Sequence, residues 1–199
     1  MSGAFPISTA KFRTLGISSV QNTIISKTVS GKKLARQIDN QRWAFTISIK
    51  TATRSDVYGE LMAFIVKQRS GKENFTIIPP EVEDARGTAS GTPHGTASAG
   101  ATSITLGGSG TGTLKAGDFI KFANHNKVYM VVADQNDIST GSLTIEPPLT
   151  TAVSSSDIQY DNVPFTVHLT NDMQQFGVSG ADKDGNLYYE YQFDVEEAL

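Results

Sequence analysis

The sequence predicts a mainly β protein: a β-sandwich or split barrel with one flanking α-helix, carrying an inserted small β-barrel-like domain. Three observations predict this fold. Apolar and polar residues alternate over Trp43–Ile49, one apolar stripe at helical spacing follows, and a long Gly/Ser/Thr-rich block then interrupts the pattern. Because β-type pattern resumes at Val163, we expect residues 1–86 and 163–199 to form one domain and residues 87–162 an inserted one.

The first segment is predicted to be a β-meander. Phe12–Gly16 and Asn22–Val29 are expected strands, and Ser30-Gly31 supplies a turn after the second. In the strongest strand signal of the chain, four apolar residues alternate with three small or polar ones: Trp43, Phe45, Ile47 and Ile49 against Ala44, Thr46 and Ser48. Strict period two over seven residues predicts a strand with one buried face.

One helix is predicted directly after this strand. Thr51 or Thr53 is the expected N-cap, and Asp56 lies in the first turn, where a carboxylate complements the helix dipole. Gly71 is the expected C′ residue. The apolar stripe recurs at helical spacing: Val57, Tyr58, Leu61, Met62, Phe64 and Ile65. We therefore expect this helix to pack on the sheet.

The inserted segment begins with the four-residue sequence GTAS, which occurs at 87–90 and again at 95–98. Such small residues favour a flexible linker or a pair of edge turns over residues 87–100. Several short strands are then expected, separated by turn residues: Ser103–Leu106, Phe119–Phe122, Lys127–Val132, Leu143–Ile145 and Ile158–Tyr160. Their regular spacing predicts a small barrel or sandwich.

The last segment is predicted to return to the first sheet. Phe165–Leu169 alternates as a strand, and Asp182–Asn186 carries the Asp-Gly signature of a hairpin turn. Leu187–Val195 is the expected closing strand, with four residues on one face: Tyr189, Tyr191, Phe193 and Val195. We expect these strands to join the sheet of residues 10–80.

Composition excludes several classes of function. A net charge of −3 with mixed signs gives no overall field that would recruit nucleic acid or an anionic membrane. The absence of cysteine excludes disulfides, thiolate nucleophiles and Cys-ligated zinc. The N-terminus lacks the pattern of a secretory signal, and no window approaches the roughly 18 consecutive apolar residues of a membrane span. We expect a soluble chain that is made in the cytoplasm.

No motif in the chain predicts catalysis or cofactor binding. The glycine run Gly107–Thr113 lacks the Lys-Ser/Thr pair of a phosphate-binding loop. Aligning Gly185 with the glycine of a calcium loop puts Gly180 and Tyr191 where acidic ligands belong. The histidines, His94, His125 and His168, lie far apart, and no serine occupies a GxSxG elbow. We expect no catalytic, cofactor-binding or metal-ligating residue, no cofactor and no enzymatic activity.

Several short segments of the sequence occur in an order that is similar to that of a known family. They are Ser30–Gln37, Gln41–Phe45, a helix that opens at Thr53-Arg54 and ends with Ala63–Gln68, Leu114–Ala123 and Lys127–Asp134. In their residues and in their order along the chain, these segments resemble bacteriophage tail-tip proteins of the distal-tail and baseplate group. The resemblance covers most of the chain. The resemblance implies a structural subunit that forms a ring, by likeness a hexamer, around the distal end of the tail tube. It also implies a place in the virion tail and contacts with tail tube and hub proteins.

Arginines flank the best strand and the helix, and they are the candidate subunit-interface residues: Arg36, Arg42 and Arg54. Inter-subunit ion pairs and a basic strip lining a lumen are the functional hypotheses, and solvated strand faces are the structural alternative. A different function, a carbohydrate- or host-surface-binding β module, would use Trp43 and the Tyr188, Tyr189 and Tyr191 group for stacking. Alternation places Trp43 and Tyr191 on buried faces, which favours the structural subunit.

Overall fold

The computed structural model describes residues 3–7, 11–38, 40–80 and 82–199. The predicted mainly β class with one α-helix is confirmed within these residues. The strands are β1 (Phe12–Val20), β2 (Thr23–Lys27), β3 (Lys33–Gln37), β4 (Arg42–Thr53), β5 (Phe75–Ile77), β6 (Pro93–Ala97), β7 (Ser103–Gly108), β8 (Phe119–Phe122), β9 (Val128–Val131), β10 (Ser142–Glu146), β11 (Val153–Gln159), β12 (Phe165–Leu169), β13 (Gly177–Ala181) and β14 (Leu187–Glu197). The helix α1 spans Gly59–Lys67.

An antiparallel sheet forms the core, in the order β1-β4-β14-β12-β5, and β13 pairs with β14. The long strands β4 and β14 are central, with Ile47 opposite Phe193 and Phe45 opposite Val195. The chain after the insertion therefore pairs with the chain before it, as its alternating pattern predicted. The N-terminal segment also contributes, because the amide of Phe5 donates to the carbonyl of Thr76 over 2.7 Å.

Alternation along β4 and β14 correctly predicts the buried face of this sheet. Trp43, Phe45, Ile47 and Ile49 are at most 6% exposed. On β14, three of the four predicted residues are buried, and Tyr189 is half-buried. They share one hydrophobic cluster with Leu61 and Ile65 of α1, so the helix packs on the sheet as expected.

Both expected ends of the helix are wrong in detail. Strand β4 continues to Thr53, so Thr51 lies within the strand. A π-helical turn over Arg54–Tyr58 then precedes α1, and Thr53 makes no side-chain capping bond. Its hydroxyl lies 3.1 Å from that of Ser55, which explains why it does not cap the helix.

At the C-terminal end of the helix, the left-handed residues are Arg69 and Ser70, with φ of 53° and 60°, and not Gly71. A glycine is required at position 71 for a steric reason, because a Cβ on Gly71 would lie 2.4 Å from the carbonyl oxygen of Leu169. The glycine allows the chain after α1 to approach β12 closely.

The predicted β-meander is wrong, because β1 pairs directly with β4. Strands β2 and β3 instead pair with each other and form a separate two-stranded sheet among the described strands. All ten of their residues are exposed. The predicted turn is present, since the amide of Gly31 donates to the carbonyl of Thr28 and Gly31 has a φ of 80°. We call residues 22–38 the arm.

The predicted inserted barrel is present and closed, in the order β10-β7-β6-β11-β8-β9. Its interior is a second hydrophobic cluster that includes Ile104, Phe122 and Tyr129. The flexible linker expected at 87–100 is wrong, because β6 lies within the barrel wall between β7 and β11. Small residues are required there by packing: a Cβ on Gly95 would lie 2.6 Å from the Phe122 ring.

Candidate interaction surfaces

The barrel is joined to the core sheet by a buried polar cluster around Glu197, near the end of β14. Its carboxylate accepts from the Lys127 ammonium, from the amide of Val128 over 2.8 Å and from the amide of Trp43 over 3.2 Å. Lys127 also donates to the side-chain carbonyl of Gln41 over 3.0 Å. Lys127, Glu197 and Gln41 are at most 4% exposed. We call these residues the seam.

Burial shapes the electrostatics of the seam. Desolvation raises the pKa of Glu197, although the Lys127 charge and three hydrogen bonds act against it. Desolvation likewise lowers the pKa of Lys127, against the attraction of Glu197. Each ion therefore depends on the other for its stability inside the protein. The seam fixes the barrel on the sheet and, because it is buried, offers no surface to a partner.

Apolar contacts reinforce the same junction. The Trp43 indole donates to the carbonyl of Val128 over 2.9 Å. Its ring packs edge-on against Phe119, with centroids 5.0 Å apart. Phe119 and Val128 belong to the hydrophobic cluster of the core sheet although they lie on barrel strands. Sequence reasoning missed this junction because its partners lie more than 60 residues apart along the chain.

The arm has several exposed apolar side chains close together in the sequence. Ile24, Ile25 and Leu34 are each at least half exposed, and so is Ile38 at its base. The sequence from 22 to 38 contains Lys27, Lys32, Lys33 and Arg36 and no acidic residue. It is therefore a basic β-hairpin with apolar side chains in water. Such an exposed apolar surface is typical of a protein–protein contact.

A second hairpin, formed by β13 and β14, also has exposed apolar side chains. Val178 is 54% exposed, Leu187 45% and Tyr188 37%. Its turn is the predicted one: the Asp182 carboxylate accepts from the amides of Asp184 and Asn186, and Gly185 has a φ of 82°. The Asn186 side chain also donates to this carboxylate over 2.8 Å, and this bond, followed by the backbone bonds, lowers the pKa of Asp182, so its negative charge persists at the tip of the hairpin.

The three candidate interface arginines are not brought together. Arg36 lies on the arm and Arg54 begins the π-helical turn, and both are exposed. Arg42 begins β4 and donates to Glu196 of β14 over 2.7 Å. Because Arg42 and Arg54 flank a twelve-residue strand, the strand rise puts them roughly 35–40 Å apart.

The histidines are also separate. His125 is half-buried and hydrogen-bonds the Tyr129 hydroxyl over 2.8 Å and the Asn124 side chain over 2.7 Å. His94 lies on β6 beside Asp157 of β11, and His168 lies on β12. Within the described residues no group of three His, Asp or Glu side chains is placed to hold a metal ion. In the same part of the chain, no helix is both long and apolar enough to cross a membrane.

The aromatic residues of the alternative function are mostly unavailable for stacking. Trp43 and Tyr191 are buried, at 6% and 2% exposure. Tyr189 is half-buried and packs against Tyr58, with centroids 5.9 Å apart. Tyr188 is the exposed member of the group, so these residues do not form a shared stacking platform for a sugar.

A sheet core with one helix, a closed barrel fixed to it by a buried seam, and two hairpins with exposed apolar side chains define a β protein of two joined parts. Residues 83–163, which include the whole barrel, match the family model described as distal tail protein pb9, B domain. No curated protein is similar enough to this chain to count as a match. The family match confirms the resemblance to phage distal-tail proteins. It supports a structural protein of the virion tail, in contact with other tail proteins, and points to a non-enzymatic role.

Proposed function

We propose that this protein is a ring-forming subunit of the phage tail tip or baseplate, placed around the distal end of the tail tube. The observation that carries this proposal is the arm, whose apolar side chains are exposed on both of its strands. A two-stranded hairpin is at best marginally stable alone in water. A neighbouring chain that covered the arm would bury these side chains and stabilise it.

A ring follows if the covering chain is another copy. When a surface on one copy binds a different surface on the next, the contact is heterologous, and it closes into a ring when the rotation fits. Six copies is the number that the resemblance to tail-tip rings implies. The tail tube and hub proteins would then contact the two faces of the ring. In this role the protein needs no cofactor and performs no catalytic turnover.

The candidate arginines support contacts at both ends of the sheet. Arg36 lies on the arm, whereas Arg54 lies at the far end of β4. An arginine binds a neighbouring carboxylate in bidentate geometry, which suits a subunit interface. Arg42 remains a candidate although it already donates to Glu196. Arg54→Glu is therefore a better test of an ion pair between subunits than Arg42→Glu, because Arg42→Glu would also repel Glu196 within the chain.

Native mass spectrometry of the purified chain tests the proposal. We expect a discrete ring for the wild type and monomers for an Ile24→Ser/Leu34→Ser variant, which removes apolar side chains from both arm strands. Val66→Ser on α1 is the matched control, because Val66 is also exposed, at 72%, but lies outside the arm. A wild-type chain that stays monomeric at high concentration and is missing from purified virions would contradict the proposal.

A further inference from the structure

We propose that the arm of one copy docks on the β13–β14 hairpin of the next copy, here called the acceptor hairpin. This inference rests on the proposed ring and names the two surfaces that form each contact. The arm spans residues 22–38, and the acceptor hairpin spans residues 177–190. The partner that docks on the acceptor hairpin is therefore a second copy of this chain.

Topology places the two hairpins at opposite ends of the same sheet. The arm connects Val20 of β1 to Arg42 of β4, and these two residues are paired. Strand β14 runs antiparallel to β4, with Tyr188 opposite Thr53. The acceptor hairpin therefore projects beyond the end of β4 that is remote from the arm, roughly 35–40 Å away by strand rise.

This separation determines the kind of contact. Within one copy the arm does not reach the acceptor hairpin, so any contact between them joins different copies. Such a contact is head-to-tail, and each copy then keeps one free arm and one free acceptor hairpin for its two neighbours. That is the arrangement a closed ring needs.

The two hairpins have opposite charge. The arm has four basic residues and no acidic one, for a net charge of +4. The acceptor hairpin has three acidic residues, Asp182, Asp184 and Glu190, and one basic residue, Lys183, for a net charge of −3 + 1 = −2. Complementary potentials of this kind favour the correct partner surface and speed association. A second arm, by contrast, would be repelled by the first.

Both hairpins also have apolar side chains for the contact to bury. The arm offers Ile24, Ile25 and Leu34, and the acceptor hairpin offers Val178 and Leu187, all of them at least 45% exposed. A groove of about 550 Å³ lies beside the base of the acceptor hairpin. It is lined by residues that include Arg13, Gly177, Glu190 and Gln192. The acceptor surface thus combines an apolar hairpin with a polar groove that carries the Glu190 carboxylate.

Disulfide cross-linking of the full chain tests the contact directly, because the sequence contains no cysteine. Leu34→Cys lies on the arm and Leu187→Cys on the acceptor hairpin. We expect oxidation of a mixture of the two single variants to give cross-linked dimers and nothing larger. The double variant, with both cysteines in each copy, should give a ladder of products that ends at the closed ring. Leu34→Cys combined with Val66→Cys is the control and should not cross-link.

A reciprocal charge exchange provides a second measurement. Lys32→Glu/Lys33→Glu/Arg36→Glu changes the net charge of the arm from +4 to +1 − 3 = −2. Asp184→Lys/Glu190→Lys changes that of the acceptor hairpin from −2 to −1 + 3 = +2. Each variant should abolish the ring, because its arm and acceptor hairpin then have charges of the same sign, and mixing the two variants should restore mixed oligomers. A wild-type ring in which Leu34→Cys and Leu187→Cys do not cross-link would overturn the docking proposal and leave the ring itself standing. Dimers formed by Leu34→Cys alone would overturn it too, because they show an arm-to-arm contact. A chain that never forms a ring and never cross-links would refute both proposals.

Discussion

Lys127 of the barrel and Glu197 of the core sheet form a buried ion pair, although 70 residues separate them along the chain. The pair is enclosed by Trp43, Gln41 and Val128, each of which adds a hydrogen bond to the seam. The barrel and sheet are therefore joined by groups that tolerate burial only while they remain together. The first three predictions concern this junction.

Glu197→Gln should destabilise the protein by about 3–5 kcal/mol, because it leaves the Lys127 ammonium buried without a counter-charge. Urea unfolding measures the loss. The double variant Lys127→Met/Glu197→Gln is the control and should recover part of the stability, since it removes the buried charge. The glutamine carbonyl can still accept from one of the two backbone amides, Trp43 and Val128, which donate to different carboxylate oxygens of Glu197. If the single and double variants were equally unstable, lost hydrogen bonds and not the unpaired charge would explain the effect.

Trp43→Ala should cost about 3–5 kcal/mol, because a buried indole that packs on Phe119 is removed. Aggregation or loss of cooperative unfolding is the expected result. Trp43→Phe keeps an aromatic ring and loses the bond to the Val128 carbonyl, so its loss should be clearly smaller. Normal stability of Trp43→Ala together with lost binding to a surface glycan would instead favour the carbohydrate-binding alternative.

Removal of the barrel, by joining Ala85 to Val163 through a short Gly-Ser linker, should leave a core that still unfolds cooperatively, though less stable than the whole chain. This tests the predicted domains, 1–86 with 163–199 and 87–162. In the shortened protein Glu197→Gln should cost less than about 1 kcal/mol, because Lys127 is absent and nothing charged is left unpaired. A shortened chain without a cooperative transition would show that the two parts fold only as one unit.

Gly95→Ala should destabilise the barrel by about 1–3 kcal/mol through overpacking. The added Cβ would lie 2.6 Å from the Phe122 ring and 2.9 Å from the Ile104 side chain. Gly107→Ala on the neighbouring strand β7 is the matched control, since no atom lies within 4 Å of its added Cβ. Thermal unfolding of the two variants should therefore differ, and equal melting temperatures would argue against a tightly packed β6.

Stability should fall below pH 6.5 in a way that depends on His125. Desolvation, followed by the charges of Lys121 and Lys127, lowers the pKa of His125 below its usual value of 6.5. The unfolded chain therefore takes up a proton at a higher pH than the native chain, and the free energy of unfolding decreases as pH falls through this window. His125→Gln should show a weaker decrease in urea titrations at a series of pH values. The same substitution at His94, also on the barrel, controls for removal of an imidazole. Identical pH profiles for wild type and His125→Gln would contradict the prediction.

Local pattern predicted several elements correctly for a clear physical reason. A strand that buries one face must alternate, so Trp43–Ile49 shows both its secondary structure and its buried side in seven residues. The stripe of α1 and the Asp-Gly turn at 182–186 are local signals of the same kind. Local sequence patterns gave a wrong prediction where the same type of residue can be present for either of two physical reasons. Small residues at 87–100 suggested flexibility, whereas Gly95 is small because Phe122 lies against it.

The sequence by itself determined the mainly β class, the single helix, the existence of an inserted barrel and the resemblance to phage distal-tail proteins. These four properties depend on the periodicity of apolar residues, on turn-forming residues and on the order of segments along the chain, all of which can be seen in a single sequence. The tertiary structure alone decided that Lys127 and Glu197 are buried together, that β1 pairs with β4, and that the arm is left outside the sheet. These outcomes depend on which distant segments meet, and the free energy of burying a charge or covering an apolar strand is set by those neighbours.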